Sequence, residues 1–466
     1  MIADLKPYPE YKESGRPWLG QVPGHWSVRR IKSVLREADC RSADGSGTLL
    51  SLTRVRGLIP HKDMTDKMHS AKTLVGYKRY STGQLVMNRM QAWSGMFGAG
   101  ATDGLVSPDY AVFDVLGGHA IKLVLERLKT PDLVAQFALE SKGIGSGFNR
   151  LYTDRFGPIP ISLPPLVEQA AIVRFLGWAN GRLERAIRAK RKVIALLNEQ
   201  KQAIIHRAVT RGLDPSVPLK PSGIPWLGDI PQHWEVWSFV RCTIERADYR
   251  GATPEKVESG VFLVTAKNIR RGWIDYGSSK EYVRASEYSK IMRRGLPRKG
   301  DVLLTMEAPL GHIALIDRED IALAQRIIRF RLHPDRLLPQ FALLCLNSPY
   351  FQNQLHERAT GSTAHGIKAS KLPQLLLARP TIAEQKSIVA QVAYEYAPLD
   401  ATIARLEREI ELFREYRTRL VADVVTGKLD VREAVAKLPE GTAPDTAEEP
   451  ADPIDETEPA DEAAAV

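Results

Sequence analysis

Two stretches of this chain are written twice, and that repetition constrains the fold more than any other feature. Ser14–Trp26 (SGRPWLGQVPGHW) returns as Ser222–Trp234 (SGIPWLGDIPQHW), 208 positions later. Glu168–Asp214 matches Glu384–Asp430 at a constant offset of 216. A period near 210 residues is far longer than the roughly 20–50-residue units of solenoids and propellers. The sequence therefore predicts a duplicated domain with fixed ends and divergent middles, one scaffold carrying two different recognition surfaces.

The matched helical stretches align position by position. The second copy places Leu399, Ile403, Leu406, Ile410, Phe413, Arg417, Leu420 and Val424 at alternating steps of four and three. The first copy places Leu183, Ile187, Lys190, Ile194, Leu197, Lys201, Ile204 and Ala208 there. This is an a/d seam, which packs helices side by side. Neither copy carries enough apolar surface to stand alone, so each is the other's expected partner. A pseudo-two-fold axis would make the pair antiparallel. Lys201 and Arg417 recur at one seam position, either fixing register or snorkelling outward. Gly181 and Pro398 are expected to mark the helix starts. A rod from Leu183 to Thr210 would be about 42 Å long at 1.5 Å per residue, roughly one turn of B-DNA.

Charge points to the partner. The chain has 65 basic and 55 acidic residues, a net +10. Ten acids and no Lys or Arg fall in Leu438–Val466, so residues 1–437 carry a net +20. A body this basic suggests a polyanionic partner, first of all nucleic acid. The Pro/Glu/Asp/Ala-rich tail is expected to be disordered, as a solubilising tail or a competitor for the basic surface. No apolar run is long enough to span a bilayer and no signal-peptide core opens the chain. Cys40, Cys242 and Cys345 lack zinc or redox spacing and read as reduced structural thiols of a cytoplasmic protein.

The middles, about 35–163 and 243–379, read as mixed strand and helix. Gln84–Asn88 and Asp301–Thr305 are short β-type runs, and Pro131 and Pro339 open helices. The run Gln136–Glu140 aligns with Gln340–Leu344, placing Leu344 opposite Glu140. Base readout uses Arg to guanine, Asn or Gln to adenine, and apolar contact to the thymine methyl. The candidates are Arg54, Asn88, Arg89, Gln91, Trp93, Asn149 and Arg150 in the first middle, the last two following a Gly143–Gly147 loop. In the second they are Lys267, Asn268, Arg270 and Arg271, with His365 and Lys368 after Gly361-Ser362. Arg293, Arg294 and Arg298 are read as phosphate contacts, which position without specifying. For each residue the competing reading is an ordinary solvated surface group.

Catalytic constellations are weak. Asp132, Glu140 and Lys142 are similar to a nuclease motif, but acids eight residues apart on one helix project about 80° apart. Phe97–Gly100 is similar to a methyl-donor loop without the strand–loop–helix context that would support it. Pro164-Pro165 lacks a preceding Asn or Asp. His25 and His233 have no partner acid or nucleophile nearby and read as packing residues.

These residues together resemble the specificity subunits of type I restriction–modification systems. The resemblance rests on Trp18-Leu19-Gly20-x-x-Pro23-x-His25-Trp26-x-Val28 and Trp226-Leu227-Gly228-x-x-Pro231-x-His233-Trp234-x-Val236. It continues through Pro164-Pro165-Leu166-x-Glu168-Gln169-x-x-Ile172 and Pro380-x-x-x-Glu384-Gln385-x-x-Ile388, and through the helix ends Ala208–Asp214 and Val424–Asp430. Segments 52–60, 88–95, 104–110, 250–254 and 266–269 are also similar to the family, so the likeness covers about 14 to 430. Arg211-Gly212 departs from its Gly-Lys order.

The resemblance implies an α+β fold of two pseudo-symmetric target-recognition domains joined by two long antiparallel helices that form a coiled-coil spacer. Its layout would be an N-terminal extension (1–13), a first recognition domain (14–163), a helical spacer and linker (164–221), a second recognition domain (222–379), a second helical spacer (380–437) and the acidic tail (438–466). The chain itself would hold no catalytic site, metal or cofactor. It would read a bipartite double-stranded DNA site and recruit two DNA-adenine methyltransferase subunits that bind S-adenosylmethionine. Motor-nuclease subunits that use ATP and magnesium would join them. The alternative is a modification or restriction enzyme with its own methyltransferase or nuclease site.

Overall fold

The computed structural model describes residues 5–64, 73–143, 149–249, 254–360 and 366–439. The chain forms two units, Met1–Ala189 with Glu409–Val466, and Lys190–Arg408.

The first unit is built on a four-stranded antiparallel sheet of β1 (Leu35–Glu37), β2 (Leu85–Asn88), β3 (Phe97–Gly98) and β4 (Tyr110–Val115), in the order β1-β4-β2-β3. Helices α1 (Ile121–Leu128) and α2 (Pro131–Glu140) follow, and then α3 (Leu166–Arg211). The second unit holds β5 (Thr243–Asp248), β6 (Val302–Thr305), β7 (Ile313–Leu315) and β8 (Ile327–Leu332) in the order β5-β8-β6-β7, the same topology. Helices α4 (Pro339–Asn347), α5 (Pro349–Glu357) and α6 (Ile382–Val425) follow. The expected short β-runs are thus β2 and β6, and Pro131 and Pro339 do open helices.

Strand period 2 sorts the side chains. Leu85, Met87, Ala111 and Phe113 face one core, while Val86 and Val112 face another on the opposite side of the sheet. In the second unit Val302, Leu304, Ile328 and Phe330 face one core and Leu303, Ala314 and Ile327 the other. Both sheets are covered on two faces, so their strands are short continuous apolar runs.

Each divergent middle is closed by its own ends. Ser27–Arg30 pairs antiparallel with Pro160–Leu163, and Glu235–Ser238 with Leu376–Arg379. The chain then meets Pro164-Pro165 or Pro380 and enters a long helix. Both helices start earlier than expected: α3 has 46 residues and α6 has 44, with Gly181 and Pro398 in their interiors. Pro398 lies on an exposed face, where tertiary packing elsewhere along the helix outweighs its missing N–H.

The helix ends are shared crosswise. The core of the first unit takes Ile172, Phe175, Leu176 and Ala179 from the start of α3, and Leu420, Val424 and Val425 from the end of α6. The core of the second takes Ile205, Ala208 and Val209 from the end of α3, and Ile388 and Val392 from the start of α6. Along the seam Leu183, Ile187, Leu406, Ile410, Leu420 and Val424 are buried, and Ile194, Leu197, Ile204, Leu399, Ile403 and Phe413 are half-buried. The seam cations each meet an acid on the opposite helix. Lys201 Nζ lies 2.5 Å from Asp400 Oδ1 in the second unit, and Arg417 pairs with Glu184 in the first. Asp400 is Glu184 shifted by 216, as Arg417 is Lys201 shifted by 216. One antiparallel register therefore accounts for both pairs.

The repeated motifs meet in a clamp. Trp26 Nε1 donates to Glu168 Oε1 at 2.9 Å, and His25 Nε2 lies 2.6 Å from Glu168 Oε2. Trp234 Nε1 donates to Glu384 Oε1 at 2.9 Å, and His233 Nε2 lies 3.0 Å from Glu384 Oε2. The reading that neither histidine has an acid beside it is corrected: each acid lies about 150 residues away in sequence and reaches its histidine only through the fold.

The neighbouring glutamines correct the alignment of the two middles. Gln169 Oε1 accepts the N–H of Ala120, just before α1, and Gln385 Oε1 accepts that of Leu338, just before α4. Thr130 Oγ1 donates to Arg127 O before α2, as Ser348 Oγ donates to Cys345 O before α5. So α4 corresponds to α1 and α5 to α2, and Leu344 is not the counterpart of Glu140.

Residues 5–13 are no loose extension. Tyr8 is buried, Tyr11–Glu13 pairs with Gln21–Pro23, and the Asp430 N–H donates to Lys6 O at 2.8 Å. Leu438 is also buried, and Arg174 Nη2 donates to Pro439 O at 3.1 Å. The remainder of the acidic tail lies outside the described residues. Cys242 and Cys345 are buried, and burial pushes the Cys242 thiol up to about 11 and Cys345 higher still. Cys40 is exposed, contrary to its reading as a structural thiol.

Candidate nucleic-acid interface

In the first unit the candidates gather around the turn that leaves β2. Asn88 is 3% exposed; its Oδ1 accepts the Met90 N–H at 3.0 Å and its Nδ2 donates to Gln91 Oε1 at 3.2 Å. Its amide is spent shaping the turn, which corrects its reading as a base contact. Arg54 donates to Ser94 O and Oγ, both at 3.3 Å, drawing its loop onto the same turn. Trp93 is exposed, with Nε1 donating to Met90 O at 2.9 Å. The Leu151 N–H donates to Arg89 O at 2.9 Å, which brings Asn149 and Arg150 alongside. Arg150 Nη2 reaches Asp109 Oδ1 at 2.5 Å, and Arg89 Nη2 reaches Glu37 Oε1 at 2.5 Å. Arg54, Arg89, Gln91, Trp93, Asn149 and Arg150 thus share one surface, while Asn88 lies beneath it. Of the Gly143–Gly147 loop only Gly143 is among the described residues.

In the second unit Lys267, Arg270 and Arg271 are exposed on one loop. Asn268 is fully buried under it. Its Oδ1 accepts the Thr265 N–H and Oγ1–H at 2.9 Å, and its Nδ2 donates to Asp275 O at 2.9 Å and Ser279 O at 2.8 Å. Asn268 is a pin, not a reader, and its assignment is corrected with that of Asn88. The Gly272 N–H donates to Ile313 O at 2.7 Å from a positive φ of 113°, and His312 Nδ1 lies 2.8 Å from Ile269 O. The loop tip therefore presents Arg270, Arg271 and Trp273, the last 58% exposed. Sequence reasoning missed Trp273; the signal was an aromatic following two arginines and a glycine.

Arg293, Arg294 and Arg298 stand on a separate loop rooted in the same core, through Met292 as against Ile269 and Ile274. A buried ionic network shapes it. Arg329, fully buried, pairs with Asp301 Oδ2 at 2.7 Å and with Glu245, while Arg331 Nη2 donates to Leu296 O at 2.9 Å. Tyr249 OH donates to Gly295 O at 2.6 Å. Arg294 is held by Asp248 O; Arg293 and Arg298 are exposed. Lys368 is exposed before the 3₁₀ turn Ala369–Gln374, and His365 lies outside the described residues.

The nuclease-like acids do not converge. Asp132 Oδ2 is paired with Arg127 Nη2 at 2.7 Å and Glu140 lies 3.8 Å from Arg155. Among the described residues no group of three His, Cys, Asp or Glu side chains could hold a metal ion, and no helix is long and apolar enough to cross a membrane.

Fold and surface together define a duplicated α+β protein, each unit lifting basic and aromatic residues on loops above a stem shared with two long helices. No protein-family model matches the chain. It is 25% identical over 300 residues to the type I restriction enzyme MjaVIII specificity subunit of Methanocaldococcus jannaschii, a match covering 63% of this chain and 68% of that one. To the type I restriction enzyme EcoBI specificity subunit of Escherichia coli it is 22% identical over 278 residues, 58% of each. A chain solved in a study of complex assembly and conformational transition of the type I R-M system shares the fold, with a TM-score of 0.56 at 14% identity, over 88% of this chain and 99% of that one. Over most of its length the chain is therefore similar to type I restriction enzyme specificity subunits.

Proposed function

We propose that this chain gives a type I restriction–modification complex its DNA sequence specificity, each unit reading one half of a bipartite double-stranded site. One observation carries this reading: the two units share sheet order, stem and clamp, yet raise unlike loops. The first offers Arg54, Gln91, Trp93 and Arg150, the second Lys267, Arg270, Arg271 and Trp273. Arg and Gln side chains beside an aromatic suit base edges in the major groove. The long helices act as the ruler between the half-sites. Two adenine methyltransferase subunits with S-adenosylmethionine, and motor-nuclease subunits using ATP and magnesium, supply the chemistry, in the cytoplasm and against foreign DNA.

The test is an exchange of residues 36–158 for those of a relative with a different target, followed by sequencing of methylated genomic DNA. One half of the methylated sequence should change and the other should persist. Change in both halves, or in neither, overturns the assignment of one half-site to each unit.

A further inference from the structure

The stem of the second unit carries a cluster that the reading loops do not use. The ring of Trp237, on the strand Glu235–Ser238, is flanked by Arg379 at 4.1 Å, Arg241 at 4.2 Å and Arg336 at 5.9 Å from its centroid. Arg336 Nη1 donates to Arg241 O at 2.9 Å, which fixes two of the three side by side. One acid answers them directly: Glu235 Oε2 takes Arg379 Nη2 at 2.5 Å. Hydrogen bonding to Arg379, with the fields of Arg379, Arg241 and Lys220, holds the Glu235 carboxyl below the usual carboxylate range, so these cations act on one spot.

Three guanidiniums about one ring repel each other, and an aromatic face with a single carboxylate offsets only part of that repulsion. Arg241 is exposed and Trp237 half-buried, so an anion can reach the cluster from solvent. Planar guanidiniums spaced this way suit phosphate oxygens. The first unit is also cationic at the same place, with other residues. Its stem strand Ser27–Arg30 puts Arg29 where Trp237 stands, and Arg29, Arg30 and Lys32 are all exposed. Residues that differ one by one while the stem stays cationic serve a ligand that is the same for both units. The two half-sites differ in sequence; their phosphates do not.

We propose that the Arg241–Arg336–Arg379 cluster on Trp237 is a phosphate-binding site that grips the backbone of duplex DNA at the stem without reading bases. This rests on the DNA-specificity reading above. The probe is a pair of duplexes, cognate and non-cognate, titrated against the assembled complex with its modification subunits across a salt series. In R241Q/R336Q the slope of log affinity against log salt should become shallower by nearly two, about 0.9 for each phosphate left without its cation. Affinity should fall by the same factor on both duplexes, and the methylated sequence should stay as it is. E235Q, which removes the opposing charge, should tighten binding to both, a change of sign that misfolding cannot imitate.

An unchanged slope in the double variant overturns the proposal, as does a loss confined to the cognate duplex. Weakened assembly with the modification subunits at an unaltered slope also overturns it, and assigns the cluster to a protein interface. A wild-type complex that binds neither duplex is a different failure, that of the specificity reading itself.

Discussion

Trp234 donates its indole N–H to Glu384 across 2.9 Å, and 208 residues earlier Trp26 does the same to Glu168 at the same distance. The two carboxylates differ in what else they accept. Glu168 is buried and also takes the hydroxyl of Tyr8 at 2.5 Å, while Glu384 is more exposed and has no such tyrosine among the described residues. Glu168→Ala leaves two buried donors without an acceptor and should cost about 2–4 kcal/mol, against about 1–2 kcal/mol for Glu384→Ala. Urea unfolding of the two variants checks the order, and a larger loss in Glu384→Ala would contradict it.

His119 supplies a pH dependence. Its Nδ1 lies 2.7 Å from Gln169 Nε2, and Gln169 Oε1 is already accepting from Ala120, so the amide must donate to an unprotonated ring nitrogen. Burial, with the charge of Arg29, holds the imidazole below its ordinary value. The unfolded chain therefore binds the proton more readily than the folded one. The stabilisation is complete above the unfolded value near 6.5 and fades as pH falls through the lower folded one. Melting temperature should drop between pH 7 and 5, and His119→Asn, which keeps an acceptor without the titration, should flatten that part of the curve.

Asn268 and Arg271 should separate shape from readout in the second unit. Asn268→Ala removes four hydrogen bonds beneath the loop and should cost about 2–3 kcal/mol of stability while blurring recognition of one half-site. Arg271→Ala, at an exposed tip, should leave stability within about 0.5 kcal/mol yet cost about 1–3 kcal/mol of discrimination at a base it contacts. Thermal unfolding together with methylation sequencing distinguishes the two. Equal effects on both half-sites would mean that this loop serves more than its own unit.

The proposed ruler can be lengthened in register. Seven residues inserted after Lys192 and seven after Arg408, positions matched by the 216 offset, keep the a/d pattern and each Lys–Asp or Arg–Glu partner. Each insertion adds about 10 Å of helix, roughly three base pairs at 3.4 Å. The preferred gap between half-sites should grow by about three while both half-sites stay unchanged. An active complex that keeps the original gap would leave the helices no part in spacing.

The seam, the short strands and the proline-started helices were legible because each is a local pattern: steps of three and four, apolar runs after glycine, a ring that fixes φ. Helix starts were misplaced because Gly181 and Pro398 are locally poor in a helix, and propensity yields to an apolar face packed along 46 or 44 residues. The clamps were invisible since Glu168 and Glu384 meet their histidines only after the middles have folded. Asn88 and Asn268 misled for a related reason: a side chain suited to adenine is equally suited to closing a turn, and only burial tells which bond it makes. The partnering of α4 with α1 could be settled by the bonds of Gln169 and Gln385, not by residue likeness.

The crosswise sharing of helix ends sets an order of events on the ribosome. The second unit is one uninterrupted stretch, complete once Arg408 has emerged. The first starts earlier in the chain but lacks Leu420, Val424 and Val425 until the whole second unit has been made. At about 5–20 residues per second, its apolar side chains around Phe175 and Trp26 wait many seconds after synthesis for the strip that covers them. The half made first is the half whose core closes last.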